Sequence, residues 1–323
     1  MDRRDHLAVW EQLEMIDKRQ NTFPEEFRHD LQPIRNGLIQ LVKEIVRLQT
    51  PAQPLVFFHL AKTGGSSIWH ALTKTAATAS PPVPIVDLYH YGRCNFHTVT
   101  DIYKVLDHFK DHLRSNRVLV HHHTSHPIGF FFEQPPLYTT IVRDPVDRFI
   151  SDINHCRAVL CGEWDEVHQK KLIDPKVEVE GRGWSRHLVE MAASPEISLE
   201  NLLESALKEP CIARYYYWAF YHLLLGTPEA IQPALLPGDC PSNEALANLV
   251  LSKFAYVGHF PHVFKNYLNI AQSYKIPPAF AGESFPHMLQ RNSNVLIPAL
   301  RKDLRAAFKS EYEFLSKLGC DFS

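Results

Sequence analysis

Short apolar runs and longer amphipathic stretches alternate along this chain of 323 residues. The short runs are rich in β-branched and aromatic residues and are bounded by proline or polar residues, which is typical of buried β-strands. The predicted strands cover residues 55–60, 117–122, 137–142 and 254–258. Apolar residues recur at helical spacing in the stretches between and after them. The predicted helices cover residues 66–77, 145–160, 185–193, 198–207, 213–225, 242–253, 260–274 and 298–319.

Strands that are separated by helices predict an α/β fold, with a central, mostly parallel sheet and helices on both of its faces. Residues 1–50 also have helical spacing, which the segment TFPEE interrupts. We therefore predict an N-terminal helical extension over residues 1–50 and one main domain over residues 51–323. The aromatic stretch ARYYYWAFYHLLL is predicted to pack in the core, and an acceptor-binding surface is the alternative.

Composition and charge narrow the class of protein. The formal net charge is −2 and no block of lysine or arginine stands out, which argues against a nucleic-acid-binding protein. No apolar run approaches the ~18–20 residues of a membrane span, and the N-terminus lacks the apolar centre of a signal peptide. We therefore expect a cytoplasmic protein without a membrane span. The six cysteines form no CxxC pair, which favours free thiols.

A glycine-rich turn follows the first predicted strand, and we call residues 61–67 the Lys62 loop. It reads Lys62-Thr63-Gly64-Gly65-Ser66-Ser67 after Ala61. A strand, a glycine turn and a helix form an anion site, because the first N–H groups of the helix lack intrahelical partners and its dipole is positive there. The lysine precedes the glycines, whereas it follows them in the ATP loop GxxxxGK[ST]. The alternative is an ordinary turn with a solvent-facing lysine.

A second polar turn follows the third predicted strand. Arg143 stands at the carboxyl end of that strand, where open α/β sheets bind ligands, and Asp144 is placed to cap the next helix. Ser151 lies eight residues beyond Arg143, roughly 9 Å above the helix start at ~1.5 Å per residue. Arg143 and Ser151 could therefore grip one phosphate. The alternative is that Arg143 pairs with Asp144 or Asp147.

Together, the two motifs resemble the sulfotransferases that use 3′-phosphoadenosine 5′-phosphosulfate. FFHLAKTGGSSI is similar to their 5′-phosphosulfate loop, an apolar strand followed by PKTGGTS, although Ala61 replaces the proline. IVRDPVDRFIS is similar to their 3′-phosphate element, RDPxxRxxS. The closest branch contains the heparan and other carbohydrate sulfotransferases and their bacterial relatives, and FAYVGHFPHVFKNYLNIA resembles its VGLxERFxxSL segment. The resemblance spans residues 55–275.

This resemblance implies a P-loop-like three-layer fold, with residues 51–323 as the sulfotransferase domain. It implies that Lys62 stabilises the charge on the bridging oxygen, and that Arg143 and Ser151 bind the 3′ phosphate. The 5′ phosphate would be held by the N–H groups of residues 63–67 and by the hydroxyls of Ser66 and Ser67. The expected donor is 3′-phosphoadenosine 5′-phosphosulfate, the expected acceptor is a hydroxyl group of a carbohydrate, and no metal is expected.

The general base is expected in the segment RVLVHHHTSHPIGFF, because members of the resembling branch often carry a histidine after this strand. Counting forward from RVLV places that histidine at His122, whereas counting back from Gly129 places it at Ser125 or His126. We order the candidates as His122, then His123, then His126. Side chains alternate along a strand, so adjacent histidines cannot all face one way.

Several alternatives stay open at this stage. The pattern HHHxxH, which begins at His121, offers imidazoles to a metal ion, but no second cluster of ligands accompanies it. An ATP-dependent small-molecule kinase with a variant phosphate loop is the second functional class. A nucleotide-binding protein of the same fold without catalysis is the third. His59, on the strand before the Lys62 loop, is interpreted as a packed strand residue.

Overall fold

A computed structural model describes residues 52–88, 106–122, 128–161, 184–225, 241–281 and 298–322. The predicted N-terminal helical extension, residues 1–50, lies outside the described residues. The strands are β1 Gln53–Phe58, β2 Ile85–Asp87, β3 Arg117–His122, β4 Leu137–Val142 and β5 Phe254–His259. The helices are α1 Gly65–Thr78, α2 Pro145–Leu160, α3 Arg186–Ala193, α4 Leu199–Ala206, α5 Pro210–Ala213, α6 Tyr215–Leu224, α7 Asn243–Lys253, α8 Val263–Ser273, α9 Pro298–Ala307 and α10 Lys309–Lys317.

The strands form one sheet in the order β2-β3-β1-β4-β5, and every recorded pair is parallel. This confirms the predicted α/β class. β1, β3 and β4 are buried at nearly every position because helices cover both faces, so their sequences are largely apolar and do not alternate with polar residues. β2 was not predicted, since its three residues are too few to show a pattern.

Helices cover the two faces of the sheet and make it a three-layer structure. The side chains of Leu55 and Phe57 point to one face and pack with residues of α1 and α8. Those of Val56 and Phe58 point to the other face, where α6, α7 and α10 pack. This alternation follows from the period of two in a strand. We call these two sides of the sheet the α1 face and the α6 face.

A separate hydrophobic cluster joins α2, α3, α4 and α9 beside the sheet. The single helix predicted over residues 298–319 is two helices, α9 and α10, because the chain breaks at Phe308. Leu304 and Phe308 pack into the α2 cluster, whereas Phe314 and Leu315 pack against the α6 face of the sheet. One straight helix could not bury both sets of side chains.

The sheet order places the two predicted motifs together. β1 and β4 are neighbours, but the chain leaves β1 toward β2 on one side of the sheet and leaves β4 toward β5 on the other. In open α/β sheets this reversal opens a crevice at the carboxyl ends of the strands, and ligands bind there. The Lys62 loop follows β1 and Arg143 follows β4, so both border this crevice.

Replacing Phe220 by alanine is expected to lower the free energy of unfolding by about 3–5 kcal/mol. Phe220 is fully buried on the α6 face, and its ring contacts those of Phe58, Phe254 and Phe314. Urea unfolding measures the change. Leu251→Ala is the matched control, since Leu251 is 50% exposed, and it should change stability by no more than about 0.5 kcal/mol. Equal effects of the two substitutions would contradict this packing.

Candidate functional site

The backbone of the Lys62 loop turns sharply between β1 and α1. Lys62 has a φ of 64° and Gly64 a φ of 82°, so two residues lie in the left-handed region that L-residues with side chains rarely adopt. The hydroxyl of Thr63, which is buried, donates to the carbonyl of Leu60 at 2.8 Å. Thr63 therefore closes the turn with its side chain.

Close neighbours leave no room for a side chain at either glycine of the loop. A Cβ on Gly64 would lie 3.0 Å from Cδ2 of Phe260, in addition to the strain of its positive φ. A Cβ on Gly65 would lie 2.2 Å from Cδ2 of His59, a distance that no real contact allows. The loop therefore packs backbone against two aromatic rings, and a side chain at either position would displace it.

The first turn of α1 suits an anion. Gly64 occupies the N-cap position and offers no side-chain hydrogen bond, and the first turn holds no acidic residue. The N–H groups of such a turn have no intrahelical partners and lie at the positive end of the helix dipole. Ser66, in this turn, is exposed, whereas Ser67 is buried.

Arg143 joins the second motif to the first. Its Nη1 donates to the carbonyl oxygen of Lys62 at 3.2 Å, across 81 residues of sequence. Its guanidinium also lies 4.7 Å from the ring centroid of Phe260, within the range of a cation–π contact. Phe260 belongs to the third segment of the family resemblance, and its N–H donates to the carbonyl of Val142 at 2.8 Å. The three segments therefore meet in one place.

Neither of the aspartates considered as alternatives holds Arg143 by a recorded ion pair. Asp144 caps α2 as predicted, since its Oδ1 accepts from the N–H of Asp147 at 2.9 Å, and its Oδ2 accepts from the hydroxyl of Tyr312 at 2.7 Å. The carboxylate of Asp147 pairs with Arg301 at 2.6 Å. The aspartates thus have other partners, and the guanidinium of Arg143 is directed to the Lys62 loop.

The half-buried guanidinium of Arg143 is suited to a further anionic partner. Burial lowers the pKa of Arg143 from its ordinary value, and the nearby charges of Asp147 and Asp144 oppose this shift. The buried Nε has no hydrogen-bond partner among the described residues. A buried donor without a partner destabilises the free protein, and an anion that accepts from it would remove that penalty. Ser151, the predicted second ligand of the same phosphate, is half-buried on α2.

Two tyrosines at the start of α6 hold both loops. The hydroxyl of Tyr215 accepts from the N–H of Ala61 in the Lys62 loop at 2.7 Å. The hydroxyl of Tyr216 accepts from the N–H of Arg143 and donates to its carbonyl, both at 2.8 Å. Because these tyrosines are adjacent on one helix, a shift of α6 would move the Lys62 loop and Arg143 together.

A buried carboxylate supports this end of α6. Glu311 of α10 accepts a hydrogen bond from the backbone N–H of Tyr216, and burial raises its pKa to about 7. The hydrogen bond and the charges of Arg148 and Arg214 act in the opposite direction. Arg148 is itself buried, lies 3.8 Å from the ring centroid of Tyr215 and is 3.6 Å from Asp152. This cluster fixes the N-terminus of α6.

The predicted histidines occupy different faces of the sheet. His122 is fully buried and its ring contacts Phe58 on the α6 face, whereas His121 lies against Phe57 on the α1 face. Adjacent histidines thus point in opposite directions, as the strand pattern predicted. His122 ends β3, and its carbonyl accepts from the N–H of His59 at 2.7 Å. His123 and His126 lie outside the described residues.

Sequence reasoning missed the supporting residues of this site. It assigned the tyrosines of α6 to core packing, and most of that helix is buried, but nothing in a local pattern shows that Tyr216 also bonds both backbone groups of Arg143. It interpreted His59 as a packed strand residue, although its ring lies against Gly65. One signal in the sequence did point to a supporting residue of the site, because the third similar segment contains Phe260.

Metal ligands, membrane helices and thiols are the remaining features of the ranges that the structure describes. Within these ranges no group of three or more histidine, cysteine, aspartate or glutamate side chains is placed to hold a metal ion. No helix in the same ranges is long and apolar enough to cross a membrane. Cys156, Cys161 and Cys320 are free thiols, in agreement with the prediction for these three.

No protein-family model matches this chain, and a search of curated proteins finds no match.

Glu311→Gln is expected to remove a pH-dependent part of the folding stability. Because the folded state raises the pKa of Glu311, the stabilisation is fully present below about pH 4.5 and is lost as the pH rises through about 7. The wild type should lose about 3 kcal/mol from this group across that window, since one pKa unit is about 1.4 kcal/mol. Urea unfolding at several pH values measures the difference between wild type and variant.

Glu313→Gln is the control for this experiment, because Glu313 is 55% exposed on the same helix. Its stability should follow the pH dependence of the wild type. If Glu311→Gln kept the same pH dependence as the wild type, the buried carboxylate would not be the titrating group.

Proposed function

We propose that this protein is a sulfotransferase that moves a sulfuryl group from 3′-phosphoadenosine 5′-phosphosulfate to an acceptor hydroxyl. The observation that carries the proposal is the hydrogen bond from Arg143 to the carbonyl of Lys62, which joins the two motifs at the crevice of the sheet. Two cationic groups and an uncapped helix N-terminus at one crevice favour a ligand that carries more than one anionic group.

The residues present fit the donor nucleotide. The N–H groups of residues 63–67 and the hydroxyls of Ser66 and Ser67 would hold the 5′ phosphate, and the first turn of α1 has no acidic residue to repel it. Arg143, whose buried Nε lacks a partner among the described residues, would hold the 3′ phosphate together with Ser151. When bound, this nucleotide supplies the activated sulfuryl group and departs as the bisphosphate.

Within the proposed reaction, Lys62 would offset the negative charge that develops at the breaking bond. Its left-handed backbone and the hydrogen bond to its carbonyl hold the backbone position from which its side chain extends. The acceptor hydroxyl must lose a proton, and the predicted base is His122, followed by His123 and His126. His122 is buried at the carboxyl end of β3, beside the strand that leads into the Lys62 loop.

The acceptor is proposed to be a carbohydrate, as the family resemblance implies. A cytoplasmic location and the absence of nucleic-acid partners stay predictions from the sequence.

The nucleotide site can be tested by titration calorimetry with two ligands that differ in a single phosphate. The wild type should bind adenosine 3′,5′-bisphosphate about 10–100-fold more tightly than adenosine 5′-monophosphate, because charged hydrogen bonds contribute about 1.5–3 kcal/mol. Arg143→Ala should remove this preference, since the 3′ phosphate loses its partner. Lys62→Ala should lower the affinity for both nucleotides.

Exposed cations serve as matched controls for these variants. Lys74→Ala removes a lysine from the outer side of α1, and Arg186→Ala removes an arginine that is 86% exposed on α3. Both should bind the two nucleotides as the wild type does. A folded wild type that binds neither nucleotide would contradict the proposed function.

His122→Gln is expected to lower sulfuryl transfer by about 10²–10⁴-fold while the affinity for adenosine 3′,5′-bisphosphate stays unchanged. The reason is that a glutamine cannot accept the proton of the acceptor hydroxyl. Transfer assays on a panel of glycans measure the rate, with His112→Gln as the control at an exposed histidine. Unchanged turnover in His122→Gln would exclude His122, and His123→Gln assayed in parallel would then test the next candidate.

A further inference from the structure

A chain of three ionisable side chains leads from the edge of the sheet to the Lys62 loop, on the α1 face. Nδ1 of His121 lies 3.0 Å from Oδ1 of Asp87, and Nε2 of His121 lies 2.9 Å from Nδ1 of His59. The three residues belong to β2, to β3 and to the position after β1. The side chain of Asp87 is 24% exposed, whereas His121 and His59 are buried. This row of three side chains therefore connects a solvent-accessible carboxylate with a buried imidazole beside the Lys62 loop.

Aromatic packing fixes the orientation of the imidazole rings. The indole of Trp69 stacks on His121 with 4.2 Å between ring centroids and an interplanar angle of 15°. Its Nε1 donates to Oδ2 of Asp87 at 3.1 Å, so both oxygens of the carboxylate are engaged. Phe57 stacks on both His59 and His121. The rings are thus held in one arrangement by contacts that do not depend on their charge.

The hydrogen bonds assign the protons. An ionised carboxylate only accepts, so His121 carries a proton on Nδ1. When His121 is neutral, its Nε2 accepts from Nδ1–H of His59, and Nε2 of His59 is then an acceptor. One added proton changes this end of the chain. The positive charge then lies on either His59 or His121. In both cases the hydrogen bond between the two rings uses one proton, so the added proton leaves Nε2 of His59 protonated and able to donate.

The end of this chain lies against the proposed anion site. The Cδ2–Nε2 edge of His59 packs on Gly65, the first residue of α1, where a Cβ would come within 2.5 Å of Nε2. An anion on the first N–H groups of α1 would be a close negative charge, and such a charge favours the protonated form of an imidazole. Lys62 and Arg143 oppose that protonation, and the carboxylate of Asp87 supports it.

We propose that Asp87, His121 and His59 form a proton-coupled anion clamp: a phosphate-type anion binds at the Lys62 loop together with one proton that the two imidazoles take from solvent. Only a proton moves in this step: an imidazole nitrogen gains an N–H bond when the anion binds, and the proton returns to solvent when the anion leaves. The titratable groups that contact His59 and His121 include each other and Asp87, and α1 contributes the indole of Trp69 and the backbone of Gly65. The identity of the anion rests on the proposed function, whereas the clamp itself does not.

Proton uptake on binding tests the clamp directly. Adenosine 3′,5′-bisphosphate is titrated into the protein by calorimetry in buffers of different ionisation enthalpy, between about pH 6 and pH 8, where a histidine with a pKa near about 6.5 responds. The wild type should take up more protons per nucleotide than His59→Gln or His121→Gln, and Asp87→Asn should also reduce the uptake. Protonation of the nucleotide phosphates is common to all variants and cancels in the difference.

His70→Gln is the matched control, because His70 is exposed on the same helix α1, and its proton uptake should equal that of the wild type. Equal proton uptake in wild type and His59→Gln, with both binding the nucleotide, would overturn the clamp and leave the proposed function standing. No binding by the wild type would overturn the proposed function, and the same titration with inorganic pyrophosphate would then test the clamp. If pyrophosphate does not bind either, the clamp is also overturned.

A measurement on the wild type alone tests the clamp even if the variants fail to fold. Long-range ¹H–¹⁵N spectra of the imidazoles should show His59 and His121 protonated on Nδ1 in the ligand-free protein at about pH 8, well above the ordinary histidine pKa of about 6.5. Addition of the anion should shift Nε2 of His59 to its protonated position. Ligand-free rings that carry their protons on Nε2 would contradict the hydrogen-bond order and overturn the clamp.

Discussion

The contact between Arg143 and the carbonyl of Lys62 is the interaction on which the site depends. Lys62 has a left-handed backbone that a lysine adopts only when its surroundings hold it there, and the guanidinium supplies one of the bonds that do so. Phe260, which follows β5, packs on both Gly64 and Arg143 and covers the same contact. Three segments that are far apart in the sequence therefore define one small surface at the switch point of the sheet.

The support for this surface comes from the α6 face. Tyr215 and Tyr216 bind the two loops, and Glu311 binds the N-terminus of the helix that carries both tyrosines. Burial disfavours ionisation of this carboxyl group, as its raised pKa indicates. The presence of the buried group is therefore weak evidence that it adds to the stability of the fold. Its consequence is positional, because it couples the geometry of the anion site to the packing of α10 against α6.

Much of the fold could be predicted from the sequence, because central parallel strands are buried on both faces and are largely apolar. β2 escaped because it has only three residues, and the break at Phe308 escaped because helical spacing continues through it. The two loop motifs could be predicted because glycines and charged residues indicate a turn or an anion site from a short stretch of sequence. The roles of Tyr216 and His59 were not found, because each depends on a partner that only the folded chain brings near.

We propose that one nucleotide with two separate phosphate groups bridges the Lys62 loop and Arg143. A crystal structure of the protein with adenosine 3′,5′-bisphosphate would locate both phosphates. We expect the 5′ phosphate on the N–H groups that begin α1 and the 3′ phosphate on Arg143 and Ser151. A nucleotide bound elsewhere, such as in the groove lined by Lys302, Arg305 and Lys309, with the Lys62 loop unchanged, would contradict it.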